Sequence, residues 1–204
     1  MYQAQKQKEW FKDCLNNKDL VEKIKKIKLI ISDVDGALTN GLLYITETTN
    51  DQENYKELRT KGFSTQDGFA TGQITKNKLL LVALLSGRPD QTTKIRAKML
   101  GIPEDLCYIG ICKNKPEKVK IMQEKNNISA QETIHFGDDF LDIEIKPHVG
   151  LLACPLNTPF YFHNQADILI PLTGENNAFR LLLDLILYIQ NKHFAQKIIE
   201  DALK

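Results

Sequence analysis

The sequence predicts an α/β fold, a parallel sheet sandwiched by helices, on three observations. An apolar, β-branched run, Ile27 with Leu29, Ile30 and Ile31, stops abruptly at Asp33-Val34-Asp35-Gly36. From Asp67 onward, short apolar runs alternate with longer amphipathic stretches, the signature of βαβ units whose parallel strands are covered by helices on both faces. Polar clusters follow several of those runs. They therefore collect at the carboxyl edge of the sheet, where the loops of an open α/β fold make a crevice.

At 204 residues the chain suits one domain with an ample core, burying about 70% of its unfolded surface. Its formal net charge of +1 leaves no excess of base for a nucleic-acid or membrane footprint. Cys14, Cys107, Cys112 and Cys154 form neither a CxxC pair nor a metal-type spacing, which suits a reducing compartment. Residues 1–10 contain no apolar run of the secretory-signal kind. The apolar stretch 178–189 is too short to span a bilayer and carries Arg180 and Asp184. A cytoplasmic protein is expected.

In chain order, residues 3–27 place Trp10, Phe11, Leu15, Leu20, Ile24 and Ile27 at helical spacing with a break near Asn16-Asn17. That predicts one or two amphipathic helices packed on the core, leading into the β-branched strand. Residues 42–48 and 55–63 bracket a polar stretch and predict a β-hairpin with a solvated tip. Helices are then expected at 68–76, 90–100, 116–125, 139–146 and from 177 onward; Gly101 and Pro103 stop the second, and Pro116 opens the third. Strands are expected at 79–85, 106–109, 133–136, 149–153 and 167–170.

Alternation along the first strand points Asp33 and Asp35 to one side and Val34 into packing. Two such carboxylates repel unless a cation sits between them or one holds a proton. Each cluster alone has a plainer account: a turn at Asp35-Gly36, a solvated Lys115, a helix cap at Asp138 and Asp139. Their conjunction does not. The acid pair, Ser86-Gly87-Arg88, Lys113-Asn114-Lys115-Pro116 and Gly137-Asp138-Asp139-Phe140-Leu141-Asp142 all fall at one sheet edge. Asp33 and Asp138, with a backbone carbonyl near Asp35, supply hard oxygen donors suited to Mg²⁺. Ser86 and Lys115 would hold phosphoryl oxygens, and Asp33 would attack phosphorus in line. Asp35 would protonate the leaving oxygen and later deprotonate water. Asp139 and Asp142 are expected to orient Lys115 or metal waters.

These residues carry a resemblance. Asp33-Val34-Asp35-Gly36-Ala37-Leu38-Thr39, Ser86-Gly87-Arg88, Lys115, and Gly137-Asp138-Asp139 with Asp142 resemble the four signature motifs of the haloacid dehalogenase superfamily of phosphohydrolases, over residues 28–184. Gly41 ahead of a hairpin, Lys61-Gly62-Phe63 with Asp67-Gly68, Leu100-Gly101-Ile102, Val149-Gly150-Leu151 and Cys154-Pro155 are similar to its nearly capless 3-deoxy-D-manno-octulosonate 8-phosphate phosphatase subfamily.

The resemblance implies a Rossmann-like phosphatase domain over residues 28–204, a β-hairpin flap at 41–64 as its minimal cap, and residues 1–27 as an extra helical segment. It implies Asp33 as nucleophile, Asp35 as general acid/base, Mg²⁺ at Asp33, Asp35 and Asp138, and substrate contacts at Gly36, Thr39, Asp67, Gly87, Arg88 and Asn114. It also implies a phosphorylated sugar acid as substrate, and a homotetramer in which the hairpin and C-terminal tail of one subunit close a neighbour's site. Lys115, directly before Pro116, fits the family's lysine better than Lys113. Gln66 stands where the family has an arginine, and residues 173–180, which keep Gly174, have lost other glycines of its pattern and the closing acid. Beside the octulosonate 8-phosphate therefore stand a nonulosonate 9-phosphate, broader small phosphomonoesters, and a non-catalytic oligomerisation domain related to acylneuraminate cytidylyltransferases.

Overall fold

The computed structural model describes residues 2–49 and 55–204. Two helices open the chain, α1 (Tyr2–Asn16) and α2 (Lys18–Lys26). The break between them is a cap: the side chain of Asn17 accepts the Leu20 N–H, one of the donors a helix start leaves unpaired. Ile27 ends α2, so the first strand, β1 (Leu29–Ser32), begins two residues later than the apolar run suggests. Trp10 and Phe11 pack on the protein's own core as expected. Phe11 is buried edge-on against Tyr188, their ring centroids 5.4 Å apart.

The hairpin follows as β2 (Tyr44–Thr49) and β3 (Tyr55–Thr60), antiparallel and separate from the main sheet; most of its expected solvated tip, 50–54, lies outside the described residues. Then come α3 (Thr65–Lys76), β4 (Leu81–Leu85), α4 (Gln91–Met99), β5 (Cys107–Tyr108), α5 (Lys115–Asn126), β6 (Thr133–Phe136), α6 (Phe140–Ile143), β7 (Leu151–Cys154), α7 (Phe160–His163), β8 (Ile168–Leu169), α8 (Ala178–Ile189) and α9 (Gln196–Leu203). The expected helix over 139–146 stops at Ile143. Pro147 disfavours a helical residue before it and has no N–H to donate, and a short 3₁₀ turn, Lys146–His148, replaces the last turn. Sequence periodicity gives no sign of α7, a single turn behind Pro159, and the one helix expected from 177 onward is two, α8 and α9, parted by residues 190–195.

The six main strands are parallel and ordered β5-β4-β1-β6-β7-β8. Every residue of β1, β6 and β7 is buried, which is why these strands read as continuous runs rather than alternations. The largely apolar stretch of α8, broken only by Arg180 and Asp184, has the same cause: it lies against α2 and α3, and Leu182, Leu183 and Leu185–Leu187 are all enclosed. From β1 the chain winds outward through β4 and β5, returns to β6 on β1's other side, and winds outward again. The order reverses beside β1, and the crevice outside the carboxyl end of that strand is where such sheets hold ligands.

Candidate active site

The main-chain pairing of β1 runs one residue past the strand, with the Asp33 N–H donating to Phe136 O at 2.8 Å. There the chain turns sharply. The Thr39 hydroxyl donates to Val34 O and accepts the N–H groups of Gly36 and Gly41 at 3.2–3.3 Å, so it fastens the loop and is fully engaged in doing so. Gly36 has φ +95°, and a Cβ there would lie 1.9 Å from Asp138 Oδ2; only glycine lets the loops after β1 and β6 close on each other. Asn157 clamps the loop from outside. Its Nδ2 donates to Gly36 O at 3.0 Å while its Oδ1 accepts the Gly174 N–H at 2.9 Å.

Lys115 is the first residue of α5, and its ammonium is buried beneath Asp33. Nζ stands 2.7 Å from Asp142 Oδ1 and 3.3 Å from Asp33 Oδ1, whereas Lys113 is exposed. Asp142 Oδ1 also meets His135 Nε2 at 2.9 Å, and its Oδ2 accepts the N–H groups of Asp138 and Asp139. Burial opposes a charge on Asp142, but His135 and Lys115 outweigh it and hold this carboxyl well below the usual range. Burial likewise works against the Lys115 charge, yet Asp33 and Asp142 raise its affinity for the proton.

Asp33 and Asp138 form the unbalanced part of the site. Burial pushes both carboxyls up, and each is raised further by like-charged neighbours: Asp33 by Asp142, Asp138 by Asp33 and Asp142. Apart from the Lys115 contact, Asp33 Oδ1 and Asp138 Oδ1 are buried oxygens that accept no hydrogen bond. Oxygens of Asp33, Asp138 and Asp142 lie within 4.8 Å of one another. Asp142 has both oxygens committed, so the donor pair open to a cation is Asp33 with Asp138. Two crowded, unpaired, hard oxygens fit a small divalent ion.

The Asp35 carboxylate faces other partners. Its Oδ2 lies 2.8 Å from Lys61 Nζ, 3.5 Å from Ser86 Oγ and 3.6 Å from Arg88 Nε. Alternation does not govern the pair because β1 ends at Ser32; Asp33 belongs to Lys115 and Asp35 to Lys61. The Asp35 side chain thus lies outside the carboxylate cluster of Asp33, Asp138 and Asp142. Ser86, at the end of β4, is fixed by its own N–H to Tyr108 O at 2.9 Å and by the Ile111 N–H to Ser86 O at 3.0 Å. Gly87 accepts the Cys112 thiol at 2.9 Å, and Asn114 takes a left-handed turn, φ 63°, that starts α5.

Other expected positions lie differently. Asp139 is exposed and caps α6, accepting the Phe140 N–H at 2.7 Å, so it does not orient Lys115; Asp142 does. Asp67 is buried between α3 and α8, where its Oδ1 accepts the Arg180 N–H at 2.8 Å, and it joins elements rather than facing the crevice. Lys61, His135, Asp90 and Asn157 touch the site's residues and were not singled out as site residues by sequence. Lys61 stood out only as part of the Lys61-Gly62-Phe63 motif, without a role, and a histidine within a strand carries no local signal; a periodicity argument finds their contacts only once their partners are known.

No family model matches the chain. It is 30% identical to the 3-deoxy-D-manno-octulosonate 8-phosphate phosphatase of Escherichia coli strain K12 over 174 residues, which is 85% of this chain and 86% of that one. Among solved structures, it is similar to the 3-deoxy-D-manno-octulosonate 8-phosphate phosphatase of Moraxella catarrhalis in complex with magnesium, phosphate and KDO: TM-score 0.75, 26% identity, 92% of this chain and 99% of that one. It is also similar to a HAD superfamily, subfamily III A, hydrolase from Legionella pneumophila, with TM-score 0.73 and 29% identity over 90% of this chain and 92% of that one.

Proposed function

The chain belongs to the haloacid dehalogenase superfamily, in the family of the 3-deoxy-D-manno-octulosonate 8-phosphate phosphatases, and from that membership we propose that it releases phosphate from a phosphorylated sugar acid, 3-deoxy-D-manno-octulosonate 8-phosphate first. The observation that carries the reading is the buried pair Asp33 and Asp138, each with a buried oxygen that accepts no hydrogen bond, that of Asp33 touching only the ammonium of Lys115. Asp33 and Asp138, with the Asp35 backbone carbonyl, would hold Mg²⁺. Bound there, the ion would neutralise charge on the phosphoryl group.

The chain's own groups do the rest. Lys115, locked by Asp142, offers a fixed positive charge to the phosphoryl oxygens, and Ser86 Oγ offers a hydroxyl donor from the opposite wall. An Asp33 carboxylate oxygen forms a bond to phosphorus as the ester P–O bond breaks, and the departing oxygen takes the proton of Asp35. Asp35, now ionised, removes a proton from water as the water oxygen attacks the aspartyl phosphate, and Asp33 leaves as the carboxylate. Arg88, partly exposed beside Asp35, would meet an acidic sugar. A homotetramer belongs to the same proposal, supported by exposed Leu42 and Tyr44 at the flap and by Phe194 and Ile198 near the carboxyl end.

A nonulosonate 9-phosphate or a wider range of phosphomonoesters is the second reading, favoured by Gln66 and by the glycines lost from 173–180. Phosphate release from a panel of octulosonate 8-phosphate, nonulosonate 9-phosphate and glucose 6-phosphate, with and without Mg²⁺, tests both. A kcat/KM peak on the octulosonate ester is expected. A flat profile supports the wider range, and no release at all removes the phosphatase reading.

A further inference from the structure

We infer that Lys61 is the positioning residue for the general acid: its buried ammonium, between Asp35 and Asp90, fixes the Asp35 carboxyl where an ester oxygen departs. The inference rests on the reading of Asp35 as that acid. Lys61 directly follows β3 at the foot of the flap, and its side chain has no exposed surface. A fully enclosed ammonium is costly unless ion-paired and hydrogen-bonded, and here it lies 2.8 Å from Asp35 Oδ2 and 2.6 Å from Asp90 Oδ2.

Asp90 is itself immobilised as the cap of α4. Its Oδ1 accepts the Thr93 N–H at 3.2 Å and the Thr93 hydroxyl at 3.3 Å. The ammonium therefore hangs from a rigid helix start, and Asp35 is the one member of the trio that reaches the crevice. The contacts of Asp35 with Lys61, Ser86 and Arg88 all fall on Oδ2. That leaves Oδ1 to carry the proton that passes to the ester oxygen as its bond to phosphorus breaks.

Leaving-group chemistry separates this role from a structural ion pair. A sugar alkoxide departs slowly unless protonated, whereas 4-nitrophenolate needs little help, and a positioned acid contributes about 10²–10⁴-fold where it is needed. The test compares kcat for 4-nitrophenyl phosphate with kcat for the sugar ester of the panel above that the wild type cleaves fastest. Lys61→Met is expected to lose at least ~100-fold on the sugar ester and less than ~10-fold on the nitrophenyl ester. Equal losses on the two overturn the inference while leaving the phosphatase reading intact; a wild type that cleaves no sugar ester overturns both. Should circular dichroism show Lys61→Met unfolded, Asp90→Asn carries the same comparison, since it keeps the cap oxygen and removes the anchor's charge. A smaller loss of the same selectivity is expected, and equal losses again overturn the inference.

Discussion

Lys115 and Asp142 are bonded at 2.7 Å, 27 residues apart in sequence, with both side chains buried. Removing one partner of such a pair strands the other. Asp142→Ala leaves Lys115 only its longer contact with Asp33, takes the acceptor from His135 and from two main-chain N–H groups, and is expected to destabilise the fold by about 3–5 kcal/mol, read from urea denaturation. Turnover at saturating substrate should fall as well, because Lys115 loses its fixed position. A stability within ~1 kcal/mol of wild type would mean that this network is not the keystone of the loop after β6.

Asp33→Asn keeps the shape of the side chain and removes its charge. Phosphate release is expected to fall to background while the far-ultraviolet circular dichroism is unchanged. Because Asp33 adds to the repulsion on Asp138, the variant should melt no lower than wild type without metal. Retained turnover would rule out Asp33 as nucleophile.

Gly36→Ala puts a methyl group where Asp138 Oδ2 lies and asks for φ +95° from a residue with a Cβ. A strain of about 1–3 kcal/mol is expected, together with a displaced Asp138. Wild type should gain about 2.7 kcal/mol of stability at 100 times the dissociation constant for Mg²⁺. The alanine variant should gain much less at the same concentration, a contrast that thermal melts with and without the ion will register.

Burial pushes the Asp67 carboxyl up to about 7, against the Arg180 N–H and the charge of Arg96. Unfolded, it would titrate near 3.9. Between those values the folded chain holds a proton that the unfolded chain has given up, so this group's contribution to stability falls as pH rises from about 4 to 7. Above that window its enclosed charge is a constant cost. Asp67→Asn keeps the acceptor for Arg180 without the charge. Its melting temperature should match wild type near pH 4, exceed it increasingly up to about pH 7 and by a steady margin above that; a difference independent of pH would refute the raised value.

The architecture was legible because its strands are buried on both faces and leave uninterrupted apolar runs such as Ile30-Ile31 and Leu84-Leu85. The strand-end residues Asp33, Ser86 and Asp138 were legible because a parallel sheet sends all its carboxyl ends to one edge, so order along the chain becomes proximity in space. Lys61 was legible as part of the Lys61-Gly62-Phe63 motif but not as a partner of Asp35. Its partners are 26 residues before it and 29 after it, and a lysine in a polar stretch looks solvated until the fold surrounds it. Thr39 and Asp67 were legible as polar residues at marked positions, but their hydrogen bonds go to main chain, to Val34 and Arg180, a use that spacing alone does not separate from ligand contact. Pro147 was a readable stop signal for α6 that the acidic first turn of that helix obscured.

Trp10 Nε1 donates to Leu169 O at 2.7 Å, and Leu169 belongs to β8, the outermost strand on its side of the sheet. An outermost strand offers bare main-chain carbonyls and amides to any other chain that can lie alongside. The indole occupies one of those carbonyls and drapes α1 over the margin. A chain shortened to begin at Lys28 would uncover that margin and the apolar side of α8 together, and its failure would show as self-association in solution before any loss of chemistry.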